Sequence, residues 1–125
     1  MPSLNFMERF AGMVERGEKM QTIRRVRKRP IKVGDTLQLY TGQRSKACRK
    51  LGVGRCTRVR EIRLTAIGFS DRIDGVILSP QERFRLAEDD GFEFIEDFMA
   101  FFRGRYGLPF EGVLIEWELE TKGDG

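Results

Sequence analysis

Gly17-Glu18-Lys19-Met20-Gln21-Thr22-Ile23-Arg24-Arg25-Val26 is the stretch in which the chain changes from one apolar repeat to another. Before it, Phe6, Phe10, Met13 and Val14 recur at i, i+4, i+7 and i+8, which places them on one face of a helix. Gly17 ends that helix, and Asn5 with Glu8 three residues on forms a capping-box pattern at its start. From Lys19 onward, β-branched residues in mixed alternation predict a strand.

Working outward, Arg27-Lys28-Arg29-Pro30 interrupts this strand, Gly34-Asp35 signals a turn, and Thr36-Leu37-Gln38-Leu39-Tyr40 alternates as a second strand with Leu37 and Leu39 inward. Residues 41–54 read as a basic glycine-containing loop. Residues 55–69 read as a long strand, and its apolar side changes near Arg60, which predicts a bulge there. Gly75-Val76-Ile77-Leu78 fits a short strand or the approach to a helix. Ser79-Pro80-Gln81-Glu82 combines a good N-cap, Pro at N1 and Glu at N3, and the helix it opens carries Phe84 and Ala87 and stops at Gly91. A further helix presents Ile95, Phe98, Met99 and Phe102 on one face. After a loop at Tyr106-Gly107-Leu108-Pro109, Val113, Ile115, Trp117 and Leu119 alternate as a last strand. The order predicts one α+β domain over residues 1–125, a small curled sheet or β-barrel with helices at the N-terminus and before the last strand.

The chain has 125 residues, 40% of them hydrophobic and ten of them Phe, enough for one core. It contains no His, which removes Ser-His and Cys-His nucleophile pairs and most zinc sites, so any catalysis must use Lys, Arg, carboxylates or hydroxyls. Neither a metal nor a cofactor is expected. Cys48 and Cys56 are read as reduced thiols. Met1-Pro2-Ser3-Leu4-Asn5-Phe6 lacks a signal-peptide pattern and no apolar run approaches a membrane span, so the expectation is a cytoplasmic monomer without a membrane partner. Charge is divided unevenly: residues 1–63 hold 17 Lys and Arg against 5 Asp and Glu, whereas residues 64–125 hold 6 against 14. The first half is suited to a phosphate-bearing ligand.

Gly17-Glu18-Lys19-Met20-Gln21-Thr22-Ile23-Arg24 also fits the pattern G-x-K-x-x-T-x-R directly after a helix. Together with Val33-Gly34-Asp35-Thr36-Leu37, Asp90-Gly91-Phe92 and Phe110-Glu111-Gly112-Val113-Leu114-Ile115-Glu116-Trp117, it resembles the ASCH family of the PUA-like superfamily, small β-barrels associated with RNA. The spacing is most similar to a bacterial subgroup of 4-acetylcytidine amidohydrolases, which use a Lys, a Thr and a Glu. The resemblance implies an amidohydrolase acting on an N4-acylated cytidine or related pyrimidine nucleoside, with Lys19, Thr22 and Asp90 as its catalytic set, Asp standing where the family has Glu. Two alternatives stay open: an RNA-binding module without catalysis, and a ribonuclease for which Tyr40 and Lys46 are the residues to test.

The residues themselves suit the first reading, since amide hydrolysis needs a nucleophile, a base and a stabilised oxyanion. Thr22 Oγ1 is the nucleophile and Lys19 its base once neutral. Because residues three apart point to opposite faces of a regular strand, Lys19 and Thr22 converge only if Lys19 lies in the loop before the strand. Arg24 and Arg25, and across the loop Arg44 and Lys46, are candidate nucleotide or phosphate contacts, with Tyr40 placed to stack a base. The expected cleft is formed by Lys19, Thr22, Arg24, Tyr40 and Asp90 beneath the basic loop.

Overall fold

A computed structural model describes residues 1–66 and 70–120. The elements run β1 (Ser3–Phe6), α1 (Glu8–Glu15), β2 (Gln21–Arg24), β3 (Thr36–Thr41), β4 (Arg49–Leu64), β5 (Arg72–Ile73), β6 (Val76–Ile77), α2 (Pro80–Asp89), α3 (Ile95–Arg105) and β7 (Phe110–Leu119). The domain is therefore α+β, with three helices and a mixed seven-stranded sheet among the described residues.

The long strand β4 organises the sheet. Its first part pairs with β3, and its second part pairs with β7 from Gly54 to Leu64, so the two neighbours overlap only briefly. β3 carries β1 in parallel and β7 carries β2 in antiparallel pairing, while the β5–β6 hairpin continues from the end of β4. The sheet curls but does not close into the expected barrel, because β1 and β2 are not paired. The seam between them is crossed by a side chain, Arg24 Nη2 donating to Asn5 O at 2.7 Å.

Leu4, Phe6, Leu37, Leu39, Leu114 and Trp117 of the sheet belong to one buried core with Phe10 and Val14 of α1 and Phe98 and Phe102 of α3. Phe92, Phe98, Phe101 and Phe102 meet in tilted or edge-to-face pairs with centroids 5.1–5.6 Å apart, geometries that aromatic quadrupoles favour. Asp71, 2% exposed, fastens the end of β4 to α2 by accepting from Thr65 N at 2.7 Å and Arg83 Nε at 3.0 Å.

Several local expectations are corrected. Residues 3–6 form a strand, and Met7 is the N-cap of α1 without a side-chain cap, so Asn5 and Glu8 make no capping box. The basic loop is shorter than 41–54, since β4 begins at Arg49 and contains Gly52 and Gly54. Glycine at 54 leaves room for a cross-strand ring, as a Cβ there would stand 2.8 Å from Trp117 Cδ1. The irregularity expected near Arg60 falls earlier, with register shifts between Cys56 and Arg58 and, against β3, between Leu39 and Tyr40. β4 ends at Leu64, and residues 67–69, read as the end of that strand, lie outside the described residues. Phe84 of α2 is 50% exposed, and Leu86 and Ala87 are the residues that helix buries. The Ser79 to Glu82 capping box is present in both directions. Cys48 and Cys56 are free. No helix among the described residues is long and apolar enough to cross a membrane.

Candidate active site

Helix α1 is capped at its C-terminus by Arg16, and Gly17 takes φ +77°, a left-handed conformation that costs glycine no Cβ clash. The next two N–H groups, of Glu18 and Lys19, turn back to Met13 O at 2.8 and 3.1 Å. Lys19 is thereby folded beneath the helix before β2 begins at Gln21, and strand alternation does not separate it from Thr22. The acid comes from the other end of the chain. Asp90 is the C-cap of α2, where the last carbonyls have no helical partner.

Lys19 Nζ donates to Asp90 O at 2.6 Å and to Asp90 Oδ1 at 3.1 Å. Gln21 Nε2 donates to the same Oδ1 at 3.2 Å and to Leu86 O at 3.4 Å. A cation at the negative end of a helix is favourable. The pair is nevertheless deeply buried, Lys19 being 3% and Asp90 4% exposed. Burial pushes the Lys19 ammonium below its ordinary range, Asp90 opposes that shift, and Arg24 and Arg9 reinforce it. Burial pushes the Asp90 carboxyl up, against the opposing pull of Lys19, Gln21 and Arg24. Both groups are thus biased toward their neutral forms. A neutral Lys19 amine keeps two N–H groups, matching its two acceptors on Asp90, and gains a lone pair.

Thr22, 5% exposed, accepts at Oγ1 from Arg24 Nε at 2.9 Å, so its own O–H remains available to donate. The Arg24 guanidinium also lies 5.0 Å from the Phe6 ring centroid. Burial lowers its pKa, Tyr106 and Asp90 raise it, and Arg105 and Arg27 lower it further. A guanidinium remains charged under such shifts.

Lys19, Thr22, Arg24 and Asp90 line one cavity, with Phe10 and Tyr106 among its walls. Its volume is about 50 Å³, against roughly 300–1,000 Å³ for pockets that enclose a whole small ligand. It has room for water or a small acyl group, and too little for a nucleoside. Arg24 and Tyr106 also border an adjoining groove of about 230 Å³, whose other walls are Leu4, Arg25, Arg27 and Ile115.

The structure therefore brings together four of the expected cleft residues and places Arg25 one groove outward. Tyr40 is not at the cavity, which corrects the expected cleft. Leu39 and Thr41 of β3 point inward, so the alternating Tyr40 faces the other side, where Lys50 Nζ stands 5.9 Å from its ring centroid. Arg44 and Lys46 are exposed in the connection between β3 and β4, away from the cavity lining. Gln21, Arg105 and Tyr106 were not anticipated. Gln21 is a long polar residue in a strand that the structure buries on both faces.

Among the described residues no group of three or more Cys, Asp and Glu is placed to hold a metal ion. The polar side chains that line the cavity include the Lys19 amine, the Asp90 carboxyl, the Thr22 hydroxyl and the Arg24 guanidinium, with Asn5, Arg105 and Tyr106 beside them, and the first four make a set able to carry out acyl transfer. No protein-family model matches the chain, nor does any curated protein or solved structure.

Proposed function

We propose that the protein is an amidohydrolase that removes the acyl group from an N4-acylated cytidine or a related pyrimidine nucleoside. The observation that carries this reading is the buried Lys19–Asp90 pair sharing one acyl-sized cavity with Thr22 and Arg24. The order of its motifs and the curled sheet support an ASCH-like fold, a PUA-like barrel left open at one seam; a cytoplasmic monomer is part of the same proposal.

The acyl group enters the cavity and the pyrimidine stays outside, against Tyr106. Thr22 Oγ1 attacks the acyl carbon while neutral Lys19 takes the hydroxyl proton. The carbonyl electron pair moves onto oxygen, where the fixed charge of Arg24 stabilises it. Collapse breaks the C–N bond, and the Lys19 ammonium returns its proton to the departing exocyclic amine. Water then attacks the Thr22 ester, losing a proton to Lys19; collapse breaks the bond between Oγ1 and the acyl carbon, Lys19 returns that proton to Thr22 Oγ1, and the carboxylic acid leaves. Asp90 and Gln21 act as positioning residues that fix the Lys19 amine.

Incubation of the purified protein with 4-acetylcytidine, followed by chromatography, is expected to yield cytidine and acetate. Thr22→Val keeps the side-chain shape, removes the hydroxyl and is expected to fold without turning over. No product from the wild type, or undiminished turnover by Thr22→Val, overturns the proposal. The adjoining groove, lined among the described residues by three arginines and no carboxylate, supports a second reading, an RNA-binding module that releases no cytidine.

A further inference from the structure

We propose that the groove beside the Lys19 cavity, walled by Arg24, Arg25, Arg27 and Tyr106, is a phosphate site, and that the ligand is therefore a phosphorylated pyrimidine nucleoside. This inference rests on the amidohydrolase reading only in naming the base; the groove itself is argued from its own residues.

Among the described residues the walls of the groove are three arginines, one tyrosine and two aliphatic side chains, with no carboxylate. None of Arg24, Arg25, Arg27 and Arg105 forms an ion pair among the described residues, whereas Arg49, Arg60, Arg63 and Arg83 each stand within 4.0 Å of an Asp or Glu. Their positions are fixed without acids. Arg24 Nη2 and Arg27 Nη2 each donate at 2.7 Å to a main-chain carbonyl of β1, of Asn5 and Ser3 respectively. Arg25 and Arg105 lie 5.1 and 5.6 Å from the Tyr106 ring centroid. Like charges held close repel: Arg105 and Arg27 both push the Arg24 pKa down, against the opposing pull of Tyr106 and Asp90. An anion bound among them would relieve that repulsion.

The chemistry selects the anion. Several guanidinium forks around one small groove match a group with three or more acceptor oxygens, and flat guanidinium and phenol surfaces beside it suit a pyrimidine. A neighbouring groove of about 920 Å³ also contains Arg25, Arg63 and Arg72, but Glu61 and Glu111 share its walls and Arg63 is 3.7 Å from Glu111, so its charge is offset. The acid-free groove is also the one that borders Arg24, whose Nε holds the Thr22 hydroxyl. A phosphate there would lie within one nucleotide of the cavity.

Calorimetric titration with cytidine, cytidine 5′- and 3′-monophosphate and tricytidylate tests this directly. At least one monophosphate is expected to bind about tenfold or more tightly than cytidine, the gain from charge-assisted hydrogen bonds. The double variant Arg25→Ala/Arg27→Ala, shown to be folded by circular dichroism, is expected to lose that preference, and Arg85→Ala on α2 to keep it. Tighter binding of tricytidylate identifies an RNA strand as the source of the phosphate, and equal binding identifies a mononucleotide; either upholds the site. Equal affinity for cytidine and both monophosphates, no binding of any of them, or a preference that survives the double variant overturns it. These ligands contain no acyl group, so the result stands apart from whether 4-acetylcytidine is hydrolysed.

Discussion

Arg24 Nε donates to Thr22 Oγ1 at 2.9 Å along one side of β2, so a fixed positive charge is held against the hydroxyl of the proposed nucleophile. Lysine carries the same charge but cannot reproduce the fork that holds Thr22 and Asn5 at once. Arg24→Lys is therefore expected to lower kcat for 4-acetylcytidine by about a hundredfold, the effect of losing one oriented oxyanion donor. Steady-state kinetics measures it, and a kcat within twofold of the wild type contradicts the role.

The Lys19–Asp90 pair sets a pH dependence. Lys19 must lose its proton to act as base, and burial places that loss below its unperturbed value of 10.5. Turnover is expected to rise with pH through an apparent pKa below that value. Asp90 pulls the Lys19 pKa up, so Asp90→Asn is expected to move the rising limb of the pH–rate profile to lower pH. A limb that moves upward contradicts the assignment.

Stability follows the same linkage. Between the lowered folded pKa of Lys19 and 10.5 the unfolded chain holds more protons at this group than the folded chain, so its contribution to stability rises with pH. Relative to Lys19→Met, the wild type is expected to gain in unfolding free energy as pH increases toward 10.5, measured by urea denaturation.

Asp71 offers a test of the scaffold remote from the cavity. Asp71→Ala removes the partner of Arg83 and the acceptor of the Thr65 N–H together. The expected loss is about 3 kcal/mol in urea unfolding, most of it from leaving the guanidinium and the amide without that partner.

Gly112 is a position where a single methyl group reaches the site. A Cβ there would overlap Arg24 O across the β2–β7 pair and stand 2.7 Å from a Phe110 ring carbon. Gly112→Ala is expected to destabilise the fold by about 1–3 kcal/mol, as overpacking does. Because β2 must shift, turnover by the folded fraction is expected to fall as well.

What could be read from the sequence was mostly local. The Ser79–Glu82 capping box, the end of α1 at Gly17 and the inward pair Leu37 and Leu39 each depend on residues within one turn or one strand, and the structure has all three. β1 escaped because its four residues are defined by a parallel partner more than thirty positions away. Gly54 read as a loop residue because a glycine that makes room for Trp117 looks, in sequence, like one that makes a turn, and so does Gly52, whose positive φ of +154° lies within a strand. At the site, the meeting of Lys19 with Asp90 was implied by family likeness, whereas Tyr106 had no local signal to separate it from an ordinary loop residue. Tyr40 could have been excluded by the alternation that placed Leu39 inward.

The unpaired seam does more than leave the curl open. In its parallel pairing with β3, β1 gives Pro2 O to Gln38 N, and the intervening Ser3 and Asn5 carbonyls face the other way. Arg27 and Arg24 occupy them. Those carbonyls are what an incoming strand of a second molecule would seek, so the arginines proposed to receive a ligand also guard an exposed sheet edge. Replacing both with short side chains would remove an anion contact and invite strand-to-strand association in one step. A variant made to abolish binding has to be checked for self-assembly before its loss of affinity is interpreted.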